Sequence, residues 1–155
     1  MSKLYDLNPS QIMMYQQNRF PLFFVDRITE VDPGSYARGF KNFTYNEWFF
    51  PSHFPDQPNV PGFIQLEVLV QVFLMTFLTI PEYVGQKTSF IAIEEAKFRK
   101  EIVPGDKLEV HAILKSFKHG VAKGSVSSNV ESKTATTANF TVALPTFVKQ
   151  LSPSG

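Results

Sequence analysis

The run Gly62-Phe63-Ile64-Gln65-Leu66-Glu67-Val68-Leu69-Val70-Gln71-Val72-Phe73-Leu74-Met75-Thr76-Phe77-Leu78-Thr79 constrains this chain more than any other feature, because it is apolar nearly all round. At 3.6 residues per turn it leaves no polar face, so as a helix it must be covered on every side. The chain has 155 residues, 43% of them hydrophobic and 14% aromatic, enough to supply that cover within one domain spanning 1–155. The run is barely long enough to span a bilayer, and its first half carries Gln65, Glu67 and Gln71, which are costly in hydrocarbon. It is therefore read as the buried central helix of a protein core, opened by Pro61-Gly62 and closed near Pro81.

The rest of the chain reads mostly as strands. Segments 22–31 and 36–43 are rich in β-formers and flank Asp32-Pro33-Gly34-Ser35, a strong turn signal, so they form a hairpin. After the helix the period changes. Four further strands are expected over 89–100, 107–117, 121–131 and 134–144, parted by Val103-Pro104-Gly105-Asp106, by Lys118-His119-Gly120 and by Ser132-Lys133. Asn8-Pro9-Ser10-Gln11 has the form of a capping box with proline at the first helical position, and predicts a short helix over about 9–17. The tail, about 146–155, is expected to be loosely held. Short connections between strands favour antiparallel pairing, so the expected fold class is α+β: about six antiparallel strands wrapped on one long helix.

Composition narrows the function. Fifteen basic residues face fourteen acidic ones, with no basic run that would track nucleic-acid phosphates or anionic lipid. Neither a nucleic acid nor a membrane is the expected partner. Without cysteine there is no disulfide and no thiol nucleophile, which fits a reducing compartment. The first residues lack the apolar core of a signal peptide, so a cytoplasmic location is expected. No histidine pair has metal-ligand spacing, and the chain contains no glycine-rich phosphate loop and no nucleophile elbow.

Against that background Glu67 stands out. A carboxylate inside an apolar helix must either take up a proton or find a partner, and either state suits proton transfer. Fourteen positions earlier, His53 lies in a loop stiffened by Pro51, Pro55, Pro58 and Pro61. The helix start at Gly62 offers backbone N–H groups that no helical carbonyl can reach, suited to a carbonyl oxygen that becomes negative. An imidazole, a carboxylate and an oxyanion donor thus lie close in sequence. Gln71 falls one turn beyond Glu67, and Phe63, Val70, Leu74 and Phe77 lie within a quarter-turn of it, where they would line an apolar slot or simply fill the core. His111, on the polar side of a strand, and His119, in a turn, are expected at the surface. Lys97, Arg99 and Lys100 form a small basic cluster that suits a phosphopantetheine phosphate or an acidic carrier protein, or else a solvated strand edge.

Several of these pieces occur together in one known family. Arg19-Phe20-Pro21-Leu22-Phe23-Phe24-Val25-Asp26-Arg27, His53-Phe54-Pro55 with Pro58 and Pro61-Gly62, Leu66-Glu67-Val68-Leu69-Val70-Gln71, Lys97-Phe98-Arg99-Lys100 and Val103-Pro104-Gly105-Asp106 match in order and spacing. Over 19–144 the chain resembles the FabZ-type β-hydroxyacyl-acyl carrier protein dehydratases of the hot-dog superfamily. The resemblance implies a hot-dog fold and a homodimer joined sheet edge to sheet edge, in many members three dimers to a hexamer. It implies sites at the dimer interface, with the histidine from one subunit and the glutamate from the other. By the same resemblance His53 abstracts the α-proton, Glu67 protonates the departing 3-hydroxyl and the Gly62 N–H holds the thioester oxygen. Neither metal nor cofactor is implied; the phosphopantetheine arm arrives with the substrate, on acyl carrier protein or coenzyme A.

The chain departs from the family pattern in places. Ser52 replaces a glycine before the histidine, which would alter the loop if that position needs positive φ. Asp56-Gln57 replaces glycine-arginine, and Val72, Phe73 and Leu74 replace smaller residues that would leave a longer acyl tunnel. Two other readings stay open on the residues alone. One is a hot-dog thioesterase in which Glu67 activates water or attacks the thioester; the other is an acyl-binding or assembly protein without turnover.

Overall fold

The structure is a computed structural model that describes the backbone of residues 1–151 and the side chains of 1–148. Its described residues form one seven-stranded sheet: β1 (Leu4–Leu7), β2 (Arg27–Asp32), β3 (Tyr36–Asn42), β4 (Ser89–Phe98), β5 (Lys107–Lys118), β6 (Val121–Val130) and β7 (Lys133–Ala143). The spatial order is β1-β2-β3-β5-β6-β7-β4, and every neighbouring pair is antiparallel. Six strands answer to the expected ones, although β2 starts only at Arg27 and leaves 22–26, expected as its first part, outside the sheet. The seventh, β1, pairs Leu4 with Val31 and Leu7 with Ile28. Its four residues are too few to show an alternating pattern, and only β2 makes them a strand.

Helix α2 (Gly62–Leu78) lies across the sheet, against β3, β5 and β6. From Val68 to Leu78 every residue is buried, which answers the demand of its all-round apolar surface. Phe73 is fully buried, stacked on Phe140 with ring centroids 6.1 Å apart and edge-on to Phe77 at 5.7 Å. Gly124 makes room for that ring, since a Cβ there would come within 2.5 Å of Phe73 Cε2. The helix ends just before Pro81 because Ile80, the residue preceding that proline, is held extended (φ −69°, ψ 125°), while Thr79 Oγ1 donates to the Met75 carbonyl at 2.6 Å in the last turn.

Two expectations change at the ends. The capping box at Asn8 forms as read, with reciprocal bonds of 2.9 and 3.0 Å to Gln11. Helix α1, however, covers only Pro9–Ile12 instead of reaching Gln17. Beyond it a turn at 13–15 leads into an irregular stretch, held by the Arg19 guanidinium, which donates to the carbonyls of Met13, Gln16 and Asn18 at 2.7 to 2.9 Å. The expected loose tail begins as helix α3 (Pro145–Leu151), whose Phe147 packs edge-on against Tyr83 at 4.8 Å. The remainder, 152–155, lies outside the described residues.

Strand β4 is unlike the others. It forms an outer edge of the sheet, pairs only with β7 through two register shifts, and leaves Phe90, Ile91, Ile93 and Phe98 each at least 41% exposed. An exposed apolar edge of this length invites pairing with another chain.

Candidate active site

The loop carrying His53 contains one 3₁₀ turn, Phe50–Ser52, and is otherwise irregular, as four prolines require. Ser52 is not among the residues with positive φ, so this position does not need the conformational freedom of the glycine it replaces. The imidazole is half-buried, stacked on Phe54 with centroids 4.3 Å apart, and its Nδ1 lies 3.0 Å from the Asn59 carbonyl oxygen. A carbonyl only accepts, so the proton belongs on Nδ1 and Nε2 keeps a free lone pair. The Asn59 N–H donates back to the His53 carbonyl at 2.9 Å. Beyond it, Val60 donates to the Ile102 carbonyl, and its own carbonyl accepts from Gln65 Nε2 at 2.9 Å. Gln65 is 5% exposed and also accepts from Thr136 Oγ1, so the histidine loop is tied through the helix to β7.

Helix α2 begins without a side-chain cap, Pro61 standing at its N-terminal boundary. Ile64 and Gln65 donate to the Pro61 carbonyl at 3.0 and 3.1 Å, while the Gly62 N–H, one residue inside the helix, has no intrahelical acceptor. A side chain at position 62 would meet the Phe98 ring at 3.1 Å, so glycine lets that ring lie against the helix start. His53 and Gly62 share the lining of a cleft of about 330 Å³ with Gln65, Phe98, Arg99, Lys100 and Glu101.

Glu67 opens elsewhere. It borders one apolar cavity of about 370 Å³, walled by Leu22, Phe24, Phe63, Ile64, Leu66, Phe90 and Ile93, and a smaller one of about 210 Å³ with Val70, Leu74, Thr88 and Val142. Asn18 and Phe90 line both. Burial raises the Glu67 pKa above the ordinary carboxyl value, and the hydrogen bond from Gln71 Nε2 to its Oε1, 3.0 Å long, pulls it part of the way back. With Oε1 engaged, Oε2 is the oxygen left to carry a proton.

The expected lining residues divide. Phe63, Val70 and Leu74 border the Glu67 cavities. Phe77 does not: it is fully buried, stacked on Phe117 at 5.2 Å, and belongs to the core. Its angle of about 80° from Glu67 around the helix is enough to turn it to the sheet. Gln71 is fully buried and lines neither cavity; besides Glu67 it donates to the Leu22 carbonyl at 2.6 Å and accepts from the Phe24 N–H at 2.9 Å. Val72 and Phe73 are core, leaving Leu74 alone of those three bulkier residues at a cavity wall.

The basic cluster also splits. Arg99 and Lys100 border the His53 cleft and Lys97 does not: it lines a hollow on the outer face of the sheet, which Arg99 also borders, and lies 3.9 Å from Glu95. His111 lies on that outer face, edge-on to Tyr36 at 6.1 Å, and burial and the nearby Arg38 lower its pKa. Among the described residues no three His, Cys, Asp or Glu side chains are grouped to hold a metal ion. No described helix is long and apolar enough to cross a membrane. Sequence reasoning passed over Asn18, Gln65 and Phe90. A glutamine in the first turn of a buried helix was the available signal for Gln65, while Asn18 and Phe90 sit at places only the folded chain brings to Glu67.

Comparison with known proteins identifies the family. A model of the FabA-like domain matches residues 17–139. The 3-hydroxyacyl-[acyl-carrier-protein] dehydratase FabZ of Clostridium botulinum (strain Okra) is 39% identical over 140 residues, which cover 90% of this chain and 96% of that protein. The enzyme of the same name from Clostridium acetobutylicum is 39% identical over 127 residues, 81% of this chain and 90% of that one. Among solved structures, the dehydratase heterocomplex ApeI:P from Xenorhabdus doucetiae superposes with a TM-score of 0.76 at 12% identity, over 90% of this chain and 95% of that one. An uncharacterized protein of Pyrococcus horikoshii does so at 0.64 and 13% identity, over 93% and 95%. At such identities these two establish the fold alone. The sequence matches establish the family: the chain belongs to the FabA-like family and is a FabZ-type dehydratase with a hot-dog fold.

Proposed function

We propose that this protein removes water from a 3-hydroxyacyl thioester carried on acyl carrier protein, giving the trans-2-enoyl thioester. His53 Nε2 takes the C2 proton, the Gly62 N–H holds the thioester oxygen as charge gathers there, and Glu67 gives its Oε2 proton to the 3-hydroxyl as the C3–O bond breaks. Water leaves, and the proton gained by His53 balances the one lost by Glu67. No cofactor takes part, and Arg99 and Lys100 beside the His53 cleft suit the phosphate of the carrier's phosphopantetheine arm.

The observation that carries this reading is the complementary state of the two groups: an imidazole whose Nδ1 is tied to a carbonyl, leaving a basic Nε2, and a carboxyl that burial keeps protonated beyond its ordinary range. Within one chain they border different cavities, which supports a site shared by two subunits across a two-fold axis. The exposed apolar edge of β4, next to both cavities, suits that contact. Incubation with 3-hydroxyacyl carrier proteins and coenzyme A thioesters of graded chain length, read by mass spectrometry, should show loss of 18 Da from the carrier-bound substrate, the mass of the water this scheme removes. Release of free thiol with no enoyl product would instead make the protein a thioesterase.

A further inference from the structure

The carboxamides around Glu67 are each held in one orientation, so that none can be turned over. Gln71 is oriented first, because its Oε1 accepts from the Phe24 N–H and its Nε2 donates to the Leu22 carbonyl, both partners of fixed polarity. Gln16, 1% exposed, is oriented next: its Nε2 donates to the Gln71 backbone carbonyl at 3.0 Å, so its Oε1 must accept. What it accepts is Asn18 Nδ2, at 2.9 Å. Asn18 Oδ1 is thereby left as a free acceptor, and no described residue donates to it. Arg19 holds the backbone beneath, donating to the Gln16 and Asn18 carbonyls at 2.7 and 2.8 Å. Several buried bonds thus fix one half-buried carboxamide that lines both cavities bordered by Glu67.

The chemistry at Glu67 has a vacancy for such an acceptor. In the dehydration proposed above, on which this step rests, the 3-hydroxyl oxygen accepts the proton from Glu67 while its own hydrogen needs somewhere to point. In an otherwise apolar cavity an unmade bond there is costly. We infer that Asn18 Oδ1 accepts a hydrogen bond from the substrate's 3-hydroxyl, orienting that group for protonation by Glu67. When the C3–O bond breaks, the departing water carries both hydrogens and remains bonded to Asn18 beside the smaller cavity, where Thr88 supplies a further polar neighbour. Asn18 in this role discriminates substrate from product, because only the substrate bears the hydroxyl.

The test compares two unreactive ligands, pantetheine amides in place of thioesters, one with a 3-hydroxyacyl group and one with the same acyl chain lacking the hydroxyl. The chain length is the one that wild-type protein dehydrates best. In Asn18→Ala, affinity for the hydroxylated amide should fall about fivefold, the worth of one neutral hydrogen bond, with affinity for the other amide unchanged. Dehydration kcat/KM should fall with it. Asn18→Leu, close to asparagine in size, serves if the alanine variant does not fold. Gln16→Met separates positioning from contact, since it removes the support and leaves the acceptor, and should give a smaller selective loss. Equal weakening of both amides, or no change in either, overturns the role of Asn18. A wild-type protein that dehydrates no 3-hydroxyacyl carrier fails at the earlier step and refutes the dehydratase reading itself.

Discussion

At the scale of single residues, the surroundings of His53 and Glu67 decide what each can do. A histidine with its Nδ1 hydrogen on the Asn59 carbonyl is a one-sided base. Replacing it should remove most of the rate, as should removing the acid. His53→Ala and Glu67→Gln are each expected to lower dehydratase kcat by about 10²- to 10⁴-fold while still folding. Near wild-type turnover in folded Glu67→Gln would return the carboxyl to a structural role. The raised pKa of Glu67 also predicts a pH signature in stability. Below the ordinary carboxyl value of 4.5 both folded and unfolded chains hold the proton, and burial carries no charge penalty. Above it the unfolded chain releases its proton first, so this group's contribution falls as pH rises until the folded pKa is passed, and is then constant. Glu67→Gln, whose amide oxygen can still accept from Gln71, should therefore gain stability relative to wild type across that window. Urea midpoints measured from pH 4 to 9 would reveal this, and a difference independent of pH would mean that the carboxyl is not desolvated.

Helix α2 shows how much of an element's work pattern alone conveys. Its burial follows directly from its composition, and its start and end come within a few residues of the proline signals that bound it. Pattern does not separate core from cavity wall. Leu74 and Phe77, about 60° apart around the helix axis, are both plausible beside Glu67 on a helical wheel. Only the sheet decides, by covering Phe77 with Phe117 and leaving Leu74 at the smaller cavity. Their alanine variants should therefore differ. Leu74→Ala should shift preference toward longer acyl chains, by a change in relative kcat/KM corresponding to about 1 to 3 kcal/mol per added methylene. Phe77→Ala should leave the preference alone and cost about 3 to 5 kcal/mol of folding stability. A shift in chain-length preference with Phe77→Ala, or none with Leu74→Ala, would reverse the two assignments.

For the whole molecule the expected unit is a pair of chains, since His53 and Glu67 border different cavities of one chain and β4 leaves an apolar edge uncovered. A heterodimer of His53→Ala with Glu67→Gln would contain one intact and one doubly damaged site. After reversible dissociation and random pairing, half the dimers are mixed and half their sites work, so activity should recover to about a quarter of wild type. Parental activity despite subunit exchange verified by mass spectrometry would place both residues in one subunit's site. By itself the sequence determined the helix, the antiparallel strands after it and the nearness of His53, Gly62 and Glu67 along the chain, because these depend on local period, turn residues and the cost of an isolated buried charge. Only the tertiary structure decided that β1 is a strand, that Phe77 is core, that Lys97 stays out of the cleft Arg99 and Lys100 border beside His53, and that Asn18 stands at Glu67. Each of these is set by a contact between segments distant in the chain, where hydrogen-bond partners and packing neighbours outweigh any preference a short stretch has of its own.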